Sequence, residues 1–191
     1  MDTRNRFYDL WDDRSMAARW HLRSPVDDKG QEVDPWQFDQ GARLEDTGII
    51  CFPVKPGGPA LDFTMASFSI PVVSNKVVRL FDRLDIQDEV QFIQVQVEGR
   101  HEPYFILNTL QTIRCIDDAR CEEVLYWLPE DNRPDKLGQY RNVRGLKIDP
   151  TRAGGANIFR PWGWTGTLIV SERVKLAMEE AGLVGPRFIE V

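Results

Sequence analysis

Apolar positions follow two rhythms along this chain. Val77, Leu80, Phe81 and Leu84 recur at the three- and four-residue spacing that lines one face of a helix. Ser74, just ahead of them, stands where an N-cap accepts from an unpaired amide of the first turn. From Val90 to Val97 the rhythm becomes alternation. Ile93, Val95 and Val97 flank Gln94 and Gln96, which predicts a strand with one buried face. Gly99 turns the chain, and Tyr104 to Cys115 reads as a partner strand. The same plan returns near the end. Thr167 to Val170 is extended and Ser171 is a second cap. Val174, Ala177, Met178 and Ala181 repeat the helical spacing, Gly182 suits a left-handed stop, and Phe188 to Val191 closes as a strand.

The two stretches align beyond their pattern. Val73-Ser74 matches Val170-Ser171, Lys76-Val77 matches Arg173-Val174, and Phe81 matches Met178. After a one-residue gap, Phe92-Ile93 and Val95 match Phe188-Ile189 and Val191. A repeated strand–helix–strand unit follows, expected to build one sheet with both helices on one side. Residues 1–68 read as shorter extended pieces: Phe7 to Leu10, Arg19 to Leu22, and Ile49 to Val54 before the Pro56-Gly57-Gly58-Pro59 turn. Asp34-Pro35-Trp36 reads as turn or coil, because a residue before proline is pushed out of the helical region. The expected fold is α+β, a single domain over residues 1–191, with a mainly antiparallel or mixed sheet and two amphipathic helices. Residues 1–68 form its irregular β-rich part and residues 69–191 its repeated part.

Composition narrows the function. A chain of 191 residues can bury a sizeable core without staples, and its 42% hydrophobic content excludes a disordered one. No apolar run reaches the roughly 20 residues needed to span a bilayer. The start, Met1-Asp2-Thr3-Arg4-Asn5-Arg6 followed by Asp9, Asp12 and Asp13, is not a signal peptide. Three cysteines, an odd number, favour reduced thiols and a cytoplasmic location. A net charge of -6 disfavours direct nucleic-acid binding, which needs a basic footprint to neutralise phosphates.

Chemical motifs are sparse. The spacing of Cys115 and Cys121 is not that of a zinc pair, so a site made with His101 has no specific support. A thiol hydrolase built on Cys115 and His101, with Asp117 orienting, can be drawn for almost any chain holding a cysteine and a histidine. No phosphate loop, dinucleotide fingerprint, nucleophile elbow or metalloprotease motif occurs. The expectation is a chain without metal, cofactor or catalytic residue.

Acids and tryptophans carry more. Asp117, Asp118, Glu122, Glu123, Glu130 and Asp131 surround Trp127 in a window whose one base is Arg120. An aromatic framed by acids suits a basic partner, since aromatics dominate interface energetics and charge sets the association rate. Trp162 and Trp164 would share one face if extended, leaving one of them free for a partner. These nine residues are the candidate partner-binding set.

Cys115-Ile116-Asp117-Asp118, the run Val124-Leu125-Tyr126-Trp127-Leu128-Pro129-Glu130-Asp131, and Phe159-Arg160-Pro161-Trp162-Gly163-Trp164 resemble a group of bacterial immunity proteins. So does the ending from Ile169-Val170-Ser171-Glu172-Arg173-Val174 through Gly185-Pro186-Arg187-Phe188. The group is immunity family eleven of polymorphic toxin systems, and the resemblance covers residues from about 7 to 191. It implies a small cytoplasmic protein, encoded beside a toxin secreted in interbacterial competition (type VI secretion is one route), that protects its producer by binding that toxin. Nuclease toxins are frequent in such systems, so the expected partner is a basic nuclease domain. The resemblance supplies no catalytic residue and no binding residue. A thiol hydrolase and an adaptor without a toxin partner stand as the alternatives.

Overall fold

The computed structural model describes residues 6–191. The N-terminal stretch 1–5, read above as no leader, lies outside them. Twelve strands and two helices form two five-stranded sheets and a separate two-stranded hairpin, an α+β fold. The first sheet holds β2 (Cys51–Phe52), β5 (Val90–Val97), β6 (Tyr104–Thr109), β4 (Ile70–Ser74) and β3 (Phe63–Ala66), in that order. The second runs β12 (Pro186–Glu190), β1 (Phe7–Asp12), β11 (Ile169–Ser171), β10 (Ile158–Pro161) and β7 (Thr112–Ile113). The helices are α1 (Asn75–Arg83) and α2 (Glu172–Glu180).

The repeat is present, but not as one sheet. Strands β5 and β12, expected side by side, lie in different sheets. Each sheet instead contains its own unit: a hairpin (β3–β4, β10–β11), a helix, and a strand parallel to the one before the helix. One antiparallel strand separates the two parallel ones in both sheets. In the first it is β6, which follows β5; in the second it is β1, from the other end of the chain.

Registers agree throughout. Val73 faces Phe105 as Val170 faces Tyr8, and Phe92 faces Leu107 as Phe188 faces Leu10. The aligned rings make the same edge-on contact: Phe92–Phe105 and Tyr8–Phe188 both have centroids 6.4 Å apart. Caps repeat as well. Ser74 Oγ accepts from the Lys76 amide and donates to Asp62, while Ser171 Oγ accepts from the Val174 amide and donates to Asn157. Asp62 and Asn157 precede the equivalent strands β3 and β10.

Both helices enter one core between the sheets. Val77, Leu80 and Phe81 of α1 pack with Val174 and Met178 of α2, with Tyr8, Leu10, Phe63, Val73, Leu107 and Val170 beneath. Phe81 and Met178 are fully buried. Replacing either by Ala is expected to lower unfolding free energy by about 2–5 kcal/mol in urea titrations. A loss near zero at both would show that the helices are not wedged between the sheets.

Several sequence expectations are corrected. Arg19 to Leu22 is no strand: Trp20 is fully buried in irregular backbone and Leu22 makes one isolated bridge, to Val54. Ile49 to Val54 shrinks to β2, laid parallel on β5. Tyr104 to Cys115 is not one strand either. The chain leaves the first sheet after Thr109 and pairs as β7 in the second, so one alternating run serves two sheets. Asp34-Pro35-Trp36, by contrast, is the turn expected: Asp34 is non-helical and caps the short 3₁₀ turn Pro35–Asp39, accepting from the Trp36 amide at 3.0 Å. Among the described residues no helix is long and apolar enough to cross a membrane.

Candidate functional site

The acidic window folds into the hairpin, β8 (Glu123–Tyr126) against β9 (Tyr140–Arg144), with a bulge between Leu125 and Tyr126. None of its residues joins the three buried clusters of the protein. A two-stranded hairpin alone is marginal in water, so this one is held by local polar bonds. Asp118 accepts from the hydroxyls of Tyr126 and Tyr140, whose rings lie 4.9 Å apart. Burial, then bonding to Tyr126 and Asp118, raises the Tyr140 hydroxyl well above its ordinary value. Trp127 sits half-buried among Arg133, Lys136 and Arg141, each cation 5.5–5.8 Å from its ring.

The charge picture differs from the window read in sequence. Glu122 pairs with Arg144 at 3.2 Å, Asp131 with Arg141 at 2.7 Å, and Asp117 with Arg120 at 3.9 Å. Glu123 accepts from the Asn142 side chain at 2.9 Å. Of the six acids, Glu130 is the exposed one whose carboxylate has no such partner among the described residues. The opposing bases arrive on β9, beyond the window, so residues 117–147 carry seven acids against six bases. The excess negative charge of the chain lies in its first 116 residues.

What the hairpin does expose is apolar surface. Leu125, Tyr126, Leu128 and Leu137 are four of ten large hydrophobics left open to solvent among the described residues. Across a cleft of about 600 Å³ stand Trp36 and Trp162, with Arg133 and Lys136 of the hairpin tip on the near wall. Trp36, 56% exposed, packs edge-on against Phe68 at 5.5 Å, itself open to solvent. The four hairpin apolars and the Trp36–Phe68 pair make six of the ten large hydrophobics exposed among the described residues.

Phe68 and Ser69 have positive φ, +61° and +56°, a costly conformation for a bulky side chain. Arg160 pins that turn from inside. Fully buried, it donates to the Ser69 carbonyl at 3.4 Å and the Thr165 carbonyl at 2.5 Å, and Thr165 in turn donates to Asp39 at 2.8 Å. Asp39 belongs to the turn that carries Trp36. Burial lowers the Arg160 guanidinium to about 10, with Asp39 offsetting part of the effect.

Trp162 and Trp164 do not share a face. The strand ends at Pro161 and Gly163, at φ +77°, turns the chain. Trp162 then enters the hairpin cleft, stacked under Arg114 at 3.2 Å, while Trp164 enters a second cleft beside Asp9 and Trp11.

Asp9 was not singled out in sequence, and nothing local marks it. Its Oδ1 is buried with no hydrogen-bond partner among the described residues. Burial pushes the carboxyl up to about 6, against which the Trp11 indole gives a smaller opposing bond. The folded carboxyl therefore holds its proton more tightly than the unfolded one, ordinarily 3.8. Stability is full below that value and falls as pH rises through about 6. Asp9→Asn should raise the unfolding free energy by up to about 3 kcal/mol near neutral pH and by almost nothing at about pH 3.5. Urea titrations at both pH values check this; equal gains at both would contradict it.

The thiol arrangement fails on geometry. Cys115 is fully buried with Phe7, Ile148 and Phe159, and burial pushes its thiol up to about 12. His101 is exposed at the end of the first sheet, in a cleft it shares with Cys51 rather than Cys115. All three cysteines are free. Among the described residues no three His, Cys, Asp or Glu side chains converge as a metal site.

The hairpin thus lies outside the buried clusters and exposes four large hydrophobics among its charges. Comparison with known families gives the class to which it belongs. Residues 8–191 match the immunity protein family Imm11, and the chain belongs to that family. Its role is thus that of an immunity protein, whose partner is a cognate toxin. A comparison with curated proteins gave no match.

Proposed function

We propose that this immunity protein neutralises a secreted toxin, a basic nuclease domain, by tight association in the cytoplasm of the cell that makes it. One observation carries the choice of surface: the hairpin stands outside every core cluster yet holds four of the ten large hydrophobics exposed among the described residues. Such a patch is stabilised only when a partner covers it. The contact set comprises Trp127, Trp162 and Trp164 with the acids Asp117, Asp118, Glu122, Glu123, Glu130 and Asp131. Within it, Trp127 at the hairpin tip and Trp162 across the cleft are the anchors. Negative charge spread over the rest of the chain draws in a basic partner from a distance.

The direct experiment is protection. Cells producing the toxin encoded beside this gene should survive when the chain is co-expressed and die without it; death in both cases would remove the reading. Charge steering has a cleaner variant than wholesale reversal, because Glu122 and Asp131 hold Arg144 and Arg141. Glu130→Lys leaves those pairs intact. At low salt it should slow association several-fold and leave dissociation unchanged. Unaltered association kinetics would mean that Glu130 lies outside the approach path.

A further inference from the structure

A second cleft, of about 350 Å³, opens beside β1, between it, the base of the hairpin and the Ser69 turn. Asp9, Trp11 and Trp164 line it, with Val143, Leu146 and Thr167 closing its sides. We propose that this cleft is a receptor for one basic side chain, a lysine or arginine of the toxin, held by Asp9 and flanked by Trp11 and Trp164. The source of that side chain rests on the toxin-binding reading; the pocket chemistry does not.

Asp9 is the reason for a cation. Asp12, three residues along the same strand, holds Arg19 at 2.6 Å and Arg14 at 3.4 Å. Asp9 has no ion pair among the described residues, and one of its oxygens is buried without a hydrogen bond. The Trp11 indole bonds this carboxylate but leaves Oδ1 unsatisfied, and a largely buried carboxylate without a cation costs stability that an amide in the same place would not. A group that weakens the free protein in this way is what a binding site leaves behind when its ligand is absent. An anion is excluded by the same charge. The aromatic walls favour a cation on an apolar stem over a hydrated ion. Trp11 already meets one guanidinium, since Arg14 lies 5.6 Å from its ring centre.

The probes are N-acetyl-arginine methylamide and N-acetyl-lysine methylamide, with neutral N-acetyl-citrulline methylamide as control, titrated into ¹⁵N-labelled protein. The indole N–H resonances of Trp11 and Trp164 should shift saturably with the cationic probes, while those of Trp20, Trp36, Trp127 and Trp162 stay still. Asp9→Asn, near-isosteric and relieved of a buried charge, should stay folded by thermal melt and lose the response. Equal shifts with citrulline, or in Asp9→Asn, overturn the pocket. In the second arm the neighbouring toxin domain is titrated with both proteins, and Asp9→Asn should bind it about tenfold more weakly or worse. Wild-type protein that fails to bind would overturn the neutralisation reading rather than the pocket. Equal binding by the two proteins would overturn the toxin as donor of the side chain.

Discussion

Arg160→Ala will destabilise the protein by about 3–5 kcal/mol, although Arg160 has no charged partner at salt-bridge distance among the described residues. The side chain is fully buried and large, so its removal leaves a cavity. It also leaves the carbonyls of Ser69 and Thr165 without their donor in a region closed to water. On a chain of this size, that loss should lower Tm by roughly 10–15 °C. The turn it pins holds Phe68 and Ser69 at positive φ, and such strain persists only while the surroundings impose it. The variant should therefore also release the Trp36–Phe68 pair, seen as faster amide exchange across residues 67–70. A destabilisation below about 1 kcal/mol would show that the three segments hold each other without the guanidinium.

The second large effect is on binding. Trp127→Ala should weaken the toxin complex by about 2 kcal/mol or more, roughly thirtyfold, chiefly through faster dissociation. Trp127 organises the tip: Arg133, Lys136 and Arg141 gather on its ring, and its amide donates to the Gln139 carbonyl at 3.0 Å. The hairpin adds nothing to the buried clusters, so global stability should hardly change. Leu128→Ser and Leu137→Ser, at exposed positions of the same tip, should each weaken binding without altering the melt. Leu176→Ser, equally open but on α2, serves as the control and should bind as wild type. Equal losses at Leu176 and Leu137 would move the interface off the hairpin.

Local signals carried the reading of the fold furthest. Ser74 and Ser171 cap helices where expected, and the spacing of Val77–Leu80–Phe81 and Val174–Met178 marks the buried stripes. The alignment of Phe92 with Phe188 holds at the level of strand register. The error lay in what fills the gap between the parallel strands. That strand is β1, some 160 residues away from its neighbours in sequence, and no local pattern reports such a pairing.

The site was legible for a similar reason in part only. Trp127 and its flanking acids stand out in sequence, but the arginines that pair with those acids come back on β9 and fall outside any short window. Trp162 and Trp164 look equivalent until Gly163 turns one of them away. Asp9 and Arg160 are ordinary surface residue types in sequence. Only tertiary burial makes a carboxylate without a cation of the one and a structural pin of the other. Trp36 and Phe68 lie in turns of irregular chain where apolar periodicity has no meaning.

Amide hydrogen exchange of the protein, alone and with the neighbouring toxin domain in excess, tests the central claim most directly. Protection should appear over the hairpin, residues 123–144, and over the turns bearing Trp36 and Trp162, while α1 and α2 stay unchanged. Protection confined to the helices, or none anywhere, would contradict an immunity protein that grips its toxin through the hairpin face.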